Sequence, residues 1–354
     1  MFRIVKKGEV TNKEAFMVRA ISIILAFLAI GLFIAFLGFN PLSVYGTMIK
    51  GAFGSSYSFR QTIVKAIPLL ISALGISVAF KMKFWNIGGE GQIIMGAFLS
   101  SYFALKFPEM NSFLLLPIMI LAGIVGGAMW ALIPAILKGK WDTNETIVTL
   151  MMNYIALKFI TYLQYGPWKD PKAQGFPKIP NFSDNAILPE FLGIHIGWII
   201  ALLLVIFMYI FMTRSKKGYE ISVLGESEKT ALYAGVNIKN TLLSAMLLSG
   251  GLCGLVGMIQ ASGVSNTLSI EVSGGVGYTA IIVAWLSNLN SIVMLGVSIL
   301  FAALVEGGSF IQTAFNIPEA VALIMQSTIL FFILGSEFFL KYKLVRKSSL
   351  KEVA

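Results

Sequence analysis

The sequence contains very few of the residues on which soluble enzymes and disulfide-linked proteins depend. One histidine and one cysteine, His195 and Cys253, occur in 354 residues. This excludes a disulfide framework and a metal site made from several His or Cys ligands of the chain itself. A single histidine also makes a Ser/His/Asp triad implausible. The sequence therefore indicates no catalytic residue, no bound metal and no cofactor.

Charged residues are also scarce, at 12% of the chain, whereas apolar residues make up 57% and the mean hydropathy is +0.82. Soluble domains carry about 25% charged residues, so this composition predicts an integral membrane protein. The N-terminus lacks a cleavable signal pattern, and the apolar run after Arg19 is expected to be a retained first helix. The motif GxxxxGK[ST] is absent, so the chain has no recognisable ATPase site of its own.

The apolar segments predict an all-α polytopic membrane protein with about ten transmembrane helices. A spanning helix needs about 20 mostly apolar residues. The candidate segments are 19–39, 62–82, 87–106, 113–137, 145–165, 194–213, 241–262, 276–289, 291–313 and 317–341. The eighth of these is short and is bounded by Gly277, Asn288 and Asn290, so we expect a broken or re-entrant helix there.

Positive charge orients these spans. With both termini in the cytoplasm, 19 of the 27 Lys and Arg residues fall on the cytoplasmic side, as the rule for cytoplasmic loops requires. The net charge of +10 is then mostly an orientation signal, and nucleic-acid binding is not needed to explain it. We expect one transmembrane domain over residues 1–354. Its cytoplasmic ends are residues 1–18 and 342–354, and residues 166–193 form an external loop.

The external loop 166–193 is rich in prolines and turn residues, which preclude a long helix. The sequence leaves two interpretations of this loop open. It is either an ordered cap or docking surface, or a simple linker.

The longest cytoplasmic interruption covers residues 214–240. Ser227 can cap a helix, and Gly235 can adopt the left-handed conformation that ends one. The residues between them give about two helical turns, which are too short to be stable alone in water. A short docked helix facing the cytoplasm is typical of a contact for a soluble partner. A connecting loop with a chance turn of helix is the alternative.

Two pairs of similar segments indicate an internal repeat. Residues 88–100 resemble residues 274–287, and residues 144–160 align with residues 318–334. Because halves of five spans lie in opposite orientations, this would be an inverted repeat, which often places a translocation path at its interface. Chance similarity among apolar, Gly-rich segments is the alternative.

Polar residues in the stretch KFWNIGGEGQ, residues 83–92, are candidates for the path. Asn86, Glu90 and Gln92 lie among glycines at a helix junction, where the backbone can turn sharply. A carboxylate near a membrane segment is usually paired or functional. The alternative is that Glu90 pairs with Lys81 or Lys83 at the interface.

A second polar cluster lies in residues 141–154. Asn144, Glu145 and Thr146 are expected to cap a helix. Asn153 and Tyr154 lie two turns inside that helix, and we assign both to the path, although interhelical hydrogen bonding is the ordinary use of such an asparagine. The remaining path candidates, in the second half of the chain, are Glu271 and Tyr278.

Other polar or small residues have ordinary structural interpretations. The run SGGLCGLVG, residues 249–257, predicts close helix packing, and Cys253 is a packing residue within it. His195 is expected at the lipid edge of a predicted helix as an interfacial residue.

Together these residues resemble the permease subunits of ATP-binding-cassette (ABC) importers, in the simple-sugar and nucleoside branch related to branched-chain amino-acid permeases. FWNIGGEGQ is similar to that branch's FNIG-x-EGQ signature, and NETIVTLMMNYIA to its NE-[VI]-I-x-T-x-M-x-NYIA segment. Residues 216–257 follow the pattern G-x-x-[IV]-R-A-x-G-x-x-x-x-A-A-x-x-AGI-x-[VI] and the small-residue helix after it. The match runs in order over roughly residues 60–310. Ser222 stands where Arg is common, and Thr230 where Ala is common.

The resemblance implies a multi-pass permease of the bacterial cytoplasmic (inner) membrane, without catalytic residues of its own. Its partners would be two ATP-binding-cassette ATPase domains, an external substrate-binding lipoprotein and a second permease subunit. The chain looks like the larger permease of a nucleoside system, whose second permease would be a paralogue; a homodimer is left open. The implied ATPase-coupling helix would use Gly225, Glu226, Ser227, Glu228, Ala231, Ala234 and Gly235.

The resemblance implies a nucleoside or similar small polar solute as the substrate, with riboflavin or a simple sugar as alternatives. Two other classes of protein remain. An ion-coupled secondary transporter shares inverted repeats and broken helices. A non-transporting membrane scaffold or enzyme subunit is the third class, and the run of motifs argues against it.

Overall fold

The computed structural model describes residues 2–7 and 11–346, and this part of the chain is mainly helical. Its helices are α1 Asn12–Phe36, α2 Pro41–Phe53, α3 Ser56–Lys81, α4 Gly89–Lys106, α5 Ser112–Trp141, α6 Glu145–Tyr165, α7 Gly197–Arg214, α8 Lys216–Glu226, α9 Glu228–Tyr233, α10 Ile238–Gln260, α11 Val276–Leu286, α12 Ser291–Phe315 and α13 Glu319–Lys341. Its strands are β1 Phe2–Lys6, β2 Glu190–Phe191, β3 Ile194–His195 and β4 Tyr342–Arg346. A 3-10 turn, Asp184–Ala186, and a π-turn, Ala261–Ser265, complete the regular structure.

A helix overlaps each of the ten predicted spans. Seven helical segments in the described part of the chain are long and apolar enough to cross a membrane. They are Met17–Phe36 within α1, all of α3, α5, α6, α7 and α12, and Ile238–Ser265, which joins α10 to the π-turn. The prediction of a polytopic helical membrane protein is therefore confirmed. Residues 347–354 of the predicted cytoplasmic tail lie outside the described residues.

Two helices were not predicted from the sequence. In α2, the Asn40 side chain accepts from the amides of Leu42 and Ser43, and Pro41 occupies the first turn, which are ordinary signals of a helix start. Its 13 residues extend about 20 Å, which is shorter than the apolar core of a membrane. The other, α8, is capped by Ser215, whose Oγ accepts from the Gly218 amide at 2.9 Å. Neither helix has the length of about 20 residues by which transmembrane helices are recognised in a sequence.

The chain divides into two compact units, one formed by residues 62–302 and the other by residues 1–61 and 303–354. In the first unit, α4 packs against α5, α6, α10 and α11. Glycines make the closest contacts, since a Cβ added at Gly254 would overlap the backbone of Gly123 and Gly127. The predicted packing role of residues 249–257 is confirmed, and Cys253 is completely buried there.

The second unit pairs the two ends of the described chain. Strands β1 and β4 form an antiparallel ribbon in which Phe2 lies opposite Arg346. Helix α1 packs against α13, and the Tyr45 hydroxyl of α2 donates to the carbonyl of Phe27 in α1 at 2.5 Å. The β1–β4 ribbon and the packing of α1 against α13 and α2 therefore hold this unit together.

The eighth predicted span is short, as expected. Helix α11 has 11 residues and extends about 16 Å, about half of the apolar thickness of a bilayer. Gly274 and Gly275 precede it with φ of 52° and 76°, and Asn288 and Leu289 follow it with φ of 48° and 57°. Left-handed residues at both ends confine the helix to this interval.

The loop 166–193 is packed against the bundle. Trp168 stacks on Phe98 of α4 with ring centroids 5.4 Å apart. Further along, the Leu188 amide donates to the carbonyl of Ser262 at 3.2 Å, and the Ser262 hydroxyl donates to the carbonyl of Ala186. These bonds attach the loop to the π-turn at the end of α10. The structure therefore favours the ordered cap over the simple linker.

Candidate functional site

The turn between α3 and α4 is held by a pair of side-chain amides. Asn86 is fully buried. Its Nδ2 donates to Gln92 Oε1 at 3.2 Å and to Ser249 Oγ at 3.1 Å. Its Oδ1 accepts from Gln92 Nε2 at 3.0 Å and from the Gly88 amide at 3.1 Å. Asn86 and Gln92 thus satisfy one another and tie the first turn of α4 to α10.

Glu90 connects the start of α4 to the start of α11. Its carboxylate accepts from the amides of Gly275 at 2.9 Å and Gly277 at 2.8 Å. These amides belong to the first turn of α11, where a helix has unpaired donors and favours negative charge. The side chain is 8% exposed. The alternative in which Glu90 pairs with Lys81 or Lys83 is therefore wrong, because backbone amides of the other half of the sequence hold the carboxylate.

Asn153 is the third member of this buried group. Its Oδ1 accepts from the Gly91 amide at 2.8 Å, and its Nδ2 donates to the Ile87 carbonyl at 2.9 Å. Nδ2 also donates to the Tyr278 hydroxyl at 3.2 Å. One asparagine of α6 therefore bridges the start of α4 to α11. We call Asn86, Glu90, Gln92, Asn153 and Tyr278 the junction cluster.

The other two path candidates lie outside the junction cluster. Tyr154 follows Asn153 but is on an exposed face of α6, with 54% of its surface accessible. Glu271 is on an exposed turn before α11. Tyr278 is 39% exposed, so within the cluster it combines a buried contact with an open face. The structure brings together five of the seven predicted residues.

Sequence reasoning missed Trp130 of α5. A Cβ added at Gly91 would lie 3.0 Å from its Nε1 and 2.9 Å from Asn153 Oδ1. This indole N–H is buried without an acceptor in the described part of the chain. No local signal marks this residue, since it lies in a long apolar run. Thr149, also missed, accepts from the Ile87 amide at 3.3 Å.

Helix caps that the sequence predicted are present. Asn144 accepts from the Ile147 amide at 3.2 Å at the start of α6. Ser227 accepts from the Thr230 amide at 3.3 Å at the start of α9, and Gly235 has a φ of 73° after its end. The predicted short capped helix between residues 227 and 235 is thus confirmed as a structure.

Helix α9 exposes two large apolar side chains beside its polar ones. Tyr233 is 93% exposed and Leu232 is also exposed, whereas Ala231 is completely buried. Among the other residues assigned to coupling, Glu226, Glu228 and Ala234 are exposed, while Gly225 is buried. Leu232 and Tyr233 thus remain accessible on the polar segment that connects α8 to α10.

The turn between α3 and α4 contacts the end of α8. The Lys83 ammonium donates to the Glu226 carbonyl at 3.3 Å. A Cβ at Gly225 would overlap the carbonyl oxygen of Lys81. A cavity of about 730 Å³ opens beside this contact and is lined by residues of four regions: 82–84, 138–142 with Glu145, 224–228, and 238–239 with Leu242. The α8–α9 segment therefore contacts the backbone that leads directly into Asn86.

Helix α8 is also tied to α10. Glu220 Oε2 lies 2.7 Å from Lys217 Nζ and accepts from the Thr241 hydroxyl at 3.3 Å. The hydrogen bond and charge of Lys217 lower the pKa of Glu220. Ser222, one of the two departures from the family pattern, donates to the Gly218 carbonyl at 2.9 Å. The Ser222 hydroxyl therefore forms its hydrogen bond within α8.

The prediction that His195 is an interfacial residue at the lipid edge of a helix is wrong. The residue is 4% exposed and lies in the β2–β3 hairpin before α7, where it is packed against Gly197 and Gly263. Neither ring nitrogen has a hydrogen-bond partner among the described residues. Burial lowers its pKa from 6.5 to about 4. His195 is a neutral packing residue of the folded hairpin.

A short helix, α11, and the first turn of α4 meet at a buried polar cluster within a bundle of apolar helices, an arrangement that is typical of membrane transporters. The chain belongs to the family described as the branched-chain amino acid transport system / permease component, whose model matches residues 58–334. It is a multi-pass protein of the bacterial inner membrane. The resemblance to ABC permeases of the simple-sugar and nucleoside branch is confirmed.

Curated relatives match over most of their length. The chain is 32% identical to the glucose ABC transporter permease protein TsgB13 of Haloferax volcanii, covering 90% of this chain and 87% of that protein. It is 30% identical to the nucleoside ABC transporter permease protein NupB of Lactococcus lactis, covering 95% and 94%. It is 28% identical to the guanosine ABC transporter permease protein NupP of Bacillus subtilis, covering 90% and 93%.

Proposed function

We propose that this chain is the membrane subunit of an ATP-driven importer that moves a nucleoside or similar small polar solute delivered by an external binding protein. In this proposal residues 1–354 act as one permease domain of ten transmembrane helices with both termini in the cytoplasm. Membership of the permease family and the absence of a phosphate-binding loop in the sequence support it.

The observation that carries the proposal is the structure of the α8–α9 segment. Its short capped helix presents Tyr233 and Leu232 outward. At its other side, Lys83 and Gly225 join the segment to the α3–α4 turn. A partner that moved α9 would therefore displace the backbone that begins the junction cluster. Such a linkage needs two packing states and no chemistry in this chain.

The partners in this proposal are two ATPase domains on other chains, a second permease subunit and an external binding lipoprotein. The second permease is a paralogue in our first proposal and a second copy of this chain in the alternative. The junction cluster, Tyr154 and Glu271 lie along the path, where the cluster holds the starts of α4 and α11 together.

Nucleosides come first as substrates because two of the three relatives described above are named for nucleoside or guanosine transport. A simple sugar is the alternative that the glucose permease favours. Riboflavin is a further alternative, since a probable riboflavin import permease of Treponema pallidum is 22% identical over 88% of this chain.

The coupling function is tested at Tyr233, since Ala231 is buried and a bulky charged residue there would disrupt α9 itself. We expect Tyr233→Asp to reduce ATP-driven uptake at least tenfold in proteoliposomes that contain the complete importer. ATP hydrolysis should continue or become independent of the binding protein. Tyr57→Asp is the control. Tyr57 is also a strongly exposed tyrosine, but it lies at the start of α3, outside the α8–α9 segment, so this variant should retain uptake.

Undiminished uptake by the Tyr233→Asp protein would exclude α9 as the coupling contact. Uptake by this chain alone, driven by a proton or sodium gradient without ATPase subunits, would instead establish a secondary transporter.

A further inference from the structure

One face of α6 is exposed and carries polar groups from Tyr154 to Tyr165. Its large exposed residues recur every three or four positions, which places them on one side of a helix. They are Ile147, Met151, Tyr154, Ile155, Lys158, Tyr162 and Tyr165. We call these seven residues the α6 stripe. The stripe contains one lysine and three tyrosines.

Other helices of the same unit show what an exposed apolar face looks like in this chain. The exposed positions of α5 from Phe113 to Ile136 are all apolar. Those of α7 from Leu202 to Ile210 include a single polar group, the Tyr209 hydroxyl. Such faces suit contact with lipid. The α6 stripe differs from both because it contains a charge.

Lys158 lies inside the span. It follows the first residue of α6 by 13 positions and precedes the last by 7, which puts its Cα about 10 Å from the nearer end of the helix. A lysine at the centre of a membrane helix costs about 2.5–3.5 kcal/mol in lipid, and such residues face a bundle interior or a water-filled cavity. Lys158 forms no ion pair with an acidic residue of the described chain.

The stripe lies on the same helix as Asn153 of the junction cluster. Tyr154 follows Asn153 in sequence, and Asn153 donates to the hydroxyl of Tyr278, a residue that is 39% exposed. We infer that the α6 stripe lines a water-filled translocation path and that Lys158 is a solute contact that selects solutes with acceptor oxygens. The inference rests on the proposed transport function and adds a residue that determines specificity.

The chemistry of the stripe defines the solute. An ammonium group offers three donors and no acceptor, so it favours carbonyl oxygens and repels cations. Tyrosine rings offer faces on which a planar ring can stack. A base with an oxo edge, such as the O6 and N7 atoms of guanine, fits a lysine better than adenine, whose N6 is a donor. Guanosine should therefore be preferred to adenosine.

The position of the stripe is tested by cysteine accessibility in the assembled importer, in a Cys253→Ala background. Tyr154→Cys and Lys158→Cys are compared with Phe207→Cys and Leu203→Cys, which lie at matched distances from an end of the apolar helix α7. We expect a charged, membrane-impermeant thiol reagent to modify the two α6 cysteines at least tenfold faster. Equal rates at matched positions would show that the stripe faces lipid and that Lys158 reaches an interface by snorkelling.

The selectivity of Lys158 is tested with guanosine and adenosine. Lys158→Met should lower the guanosine-to-adenosine ratio of kcat/KM at least tenfold, whereas Lys158→Arg should retain most of it. An unchanged ratio in Lys158→Met would overturn the role in selection. If the importer transports neither nucleoside, the proposed substrate is wrong, and the accessibility rates, which do not depend on uptake, still decide whether the stripe lines the path.

Discussion

The carboxylate of Glu90 accepts a hydrogen bond from the amide of Gly277 at 2.8 Å, across a sequence separation of 187 residues. The contact places an acidic side chain from the start of α4 at the amino end of α11. Because α4 and α11 begin in the two segments that the sequence aligns as a repeat, this contact joins the two segments of that alignment. The repeat itself remains a prediction.

Removing this carboxylate should destabilise the first unit. Glu90→Ala leaves the buried amide of Gly277 and the partly buried amide of Gly275 without their acceptor, and the loss at a buried amide costs about 1–3 kcal/mol. Glu90→Gln keeps one oxygen acceptor and should cost less. Thermal unfolding in detergent micelles measures both effects. Equal unfolding temperatures for Glu90→Ala and the wild-type protein would show that the amides find another partner.

A single methyl group should disturb the contact between α8 and the α3–α4 turn. A Cβ at Gly225 overlaps the Lys81 carbonyl oxygen, whereas a Cβ at Gly139, in the wall of the same cavity, meets only Leu242 at 3.6 Å. Overpacking of this kind costs about 1–3 kcal/mol. We expect Gly225→Ala to lower uptake per ATP hydrolysed and Gly139→Ala to leave it unchanged. Equal coupling ratios for the two variants would contradict the mechanical role of this contact.

Glu220 should make α8 sensitive to acid. Because Lys217 lowers its folded-state pKa below the ordinary value of 4.5, its contribution to stability is present above that pH and is lost as the pH falls below it. A partly exposed pair of this kind contributes about 0.5–1 kcal/mol. Glu220→Gln should therefore be less stable than wild type at pH 7 but not at pH 3. Thermal unfolding of both proteins at the two pH values measures this difference, and equal differences at pH 7 and pH 3 would contradict the role of the carboxylate.

His195 should produce a pH effect of the same sign at higher pH. Its folded-state pKa is about 4, below the ordinary 6.5, so only the unfolded chain binds this proton between those values. Stability is therefore full above pH 6.5 and falls as the pH decreases towards 4, by at most about 3 kcal/mol. The difference in unfolding temperature between wild type and His195→Phe should change across this window. A constant difference would show that the imidazole is hydrated in the folded state.

Local signals predicted the helix starts, whereas the partners of the polar residues depended on the fold. Ser227 and Asn144 bond to amides three residues away, so their roles follow from the nearby sequence. Glu90, in contrast, meets amides more than 180 residues distant, and its nearest lysines in sequence suggested the wrong partner. Trp130 was missed for the same reason, since only the packing of α5 against α4 brings it to Gly91.

Burial within a helix was equally hard to predict. Asn153 and Tyr154 are neighbours in a single motif, but one bridges three elements and the other is exposed. A sequence pattern identifies the motif without showing which of two successive side chains faces the bundle. The 3.6-residue period separates them by about 100°, and only packing decides which side is inside.

The glycine contacts between α5 and α10 leave no side chain between the two backbones at Gly127 and Gly254. Bare backbones in contact cannot slide past one another through rotamer changes, as side-chain layers do. The separation of α5 and α10 should therefore stay constant during transport. Spectroscopic labels at their ends should keep a constant separation throughout the cycle, and the displacement of every other helix can be measured against them.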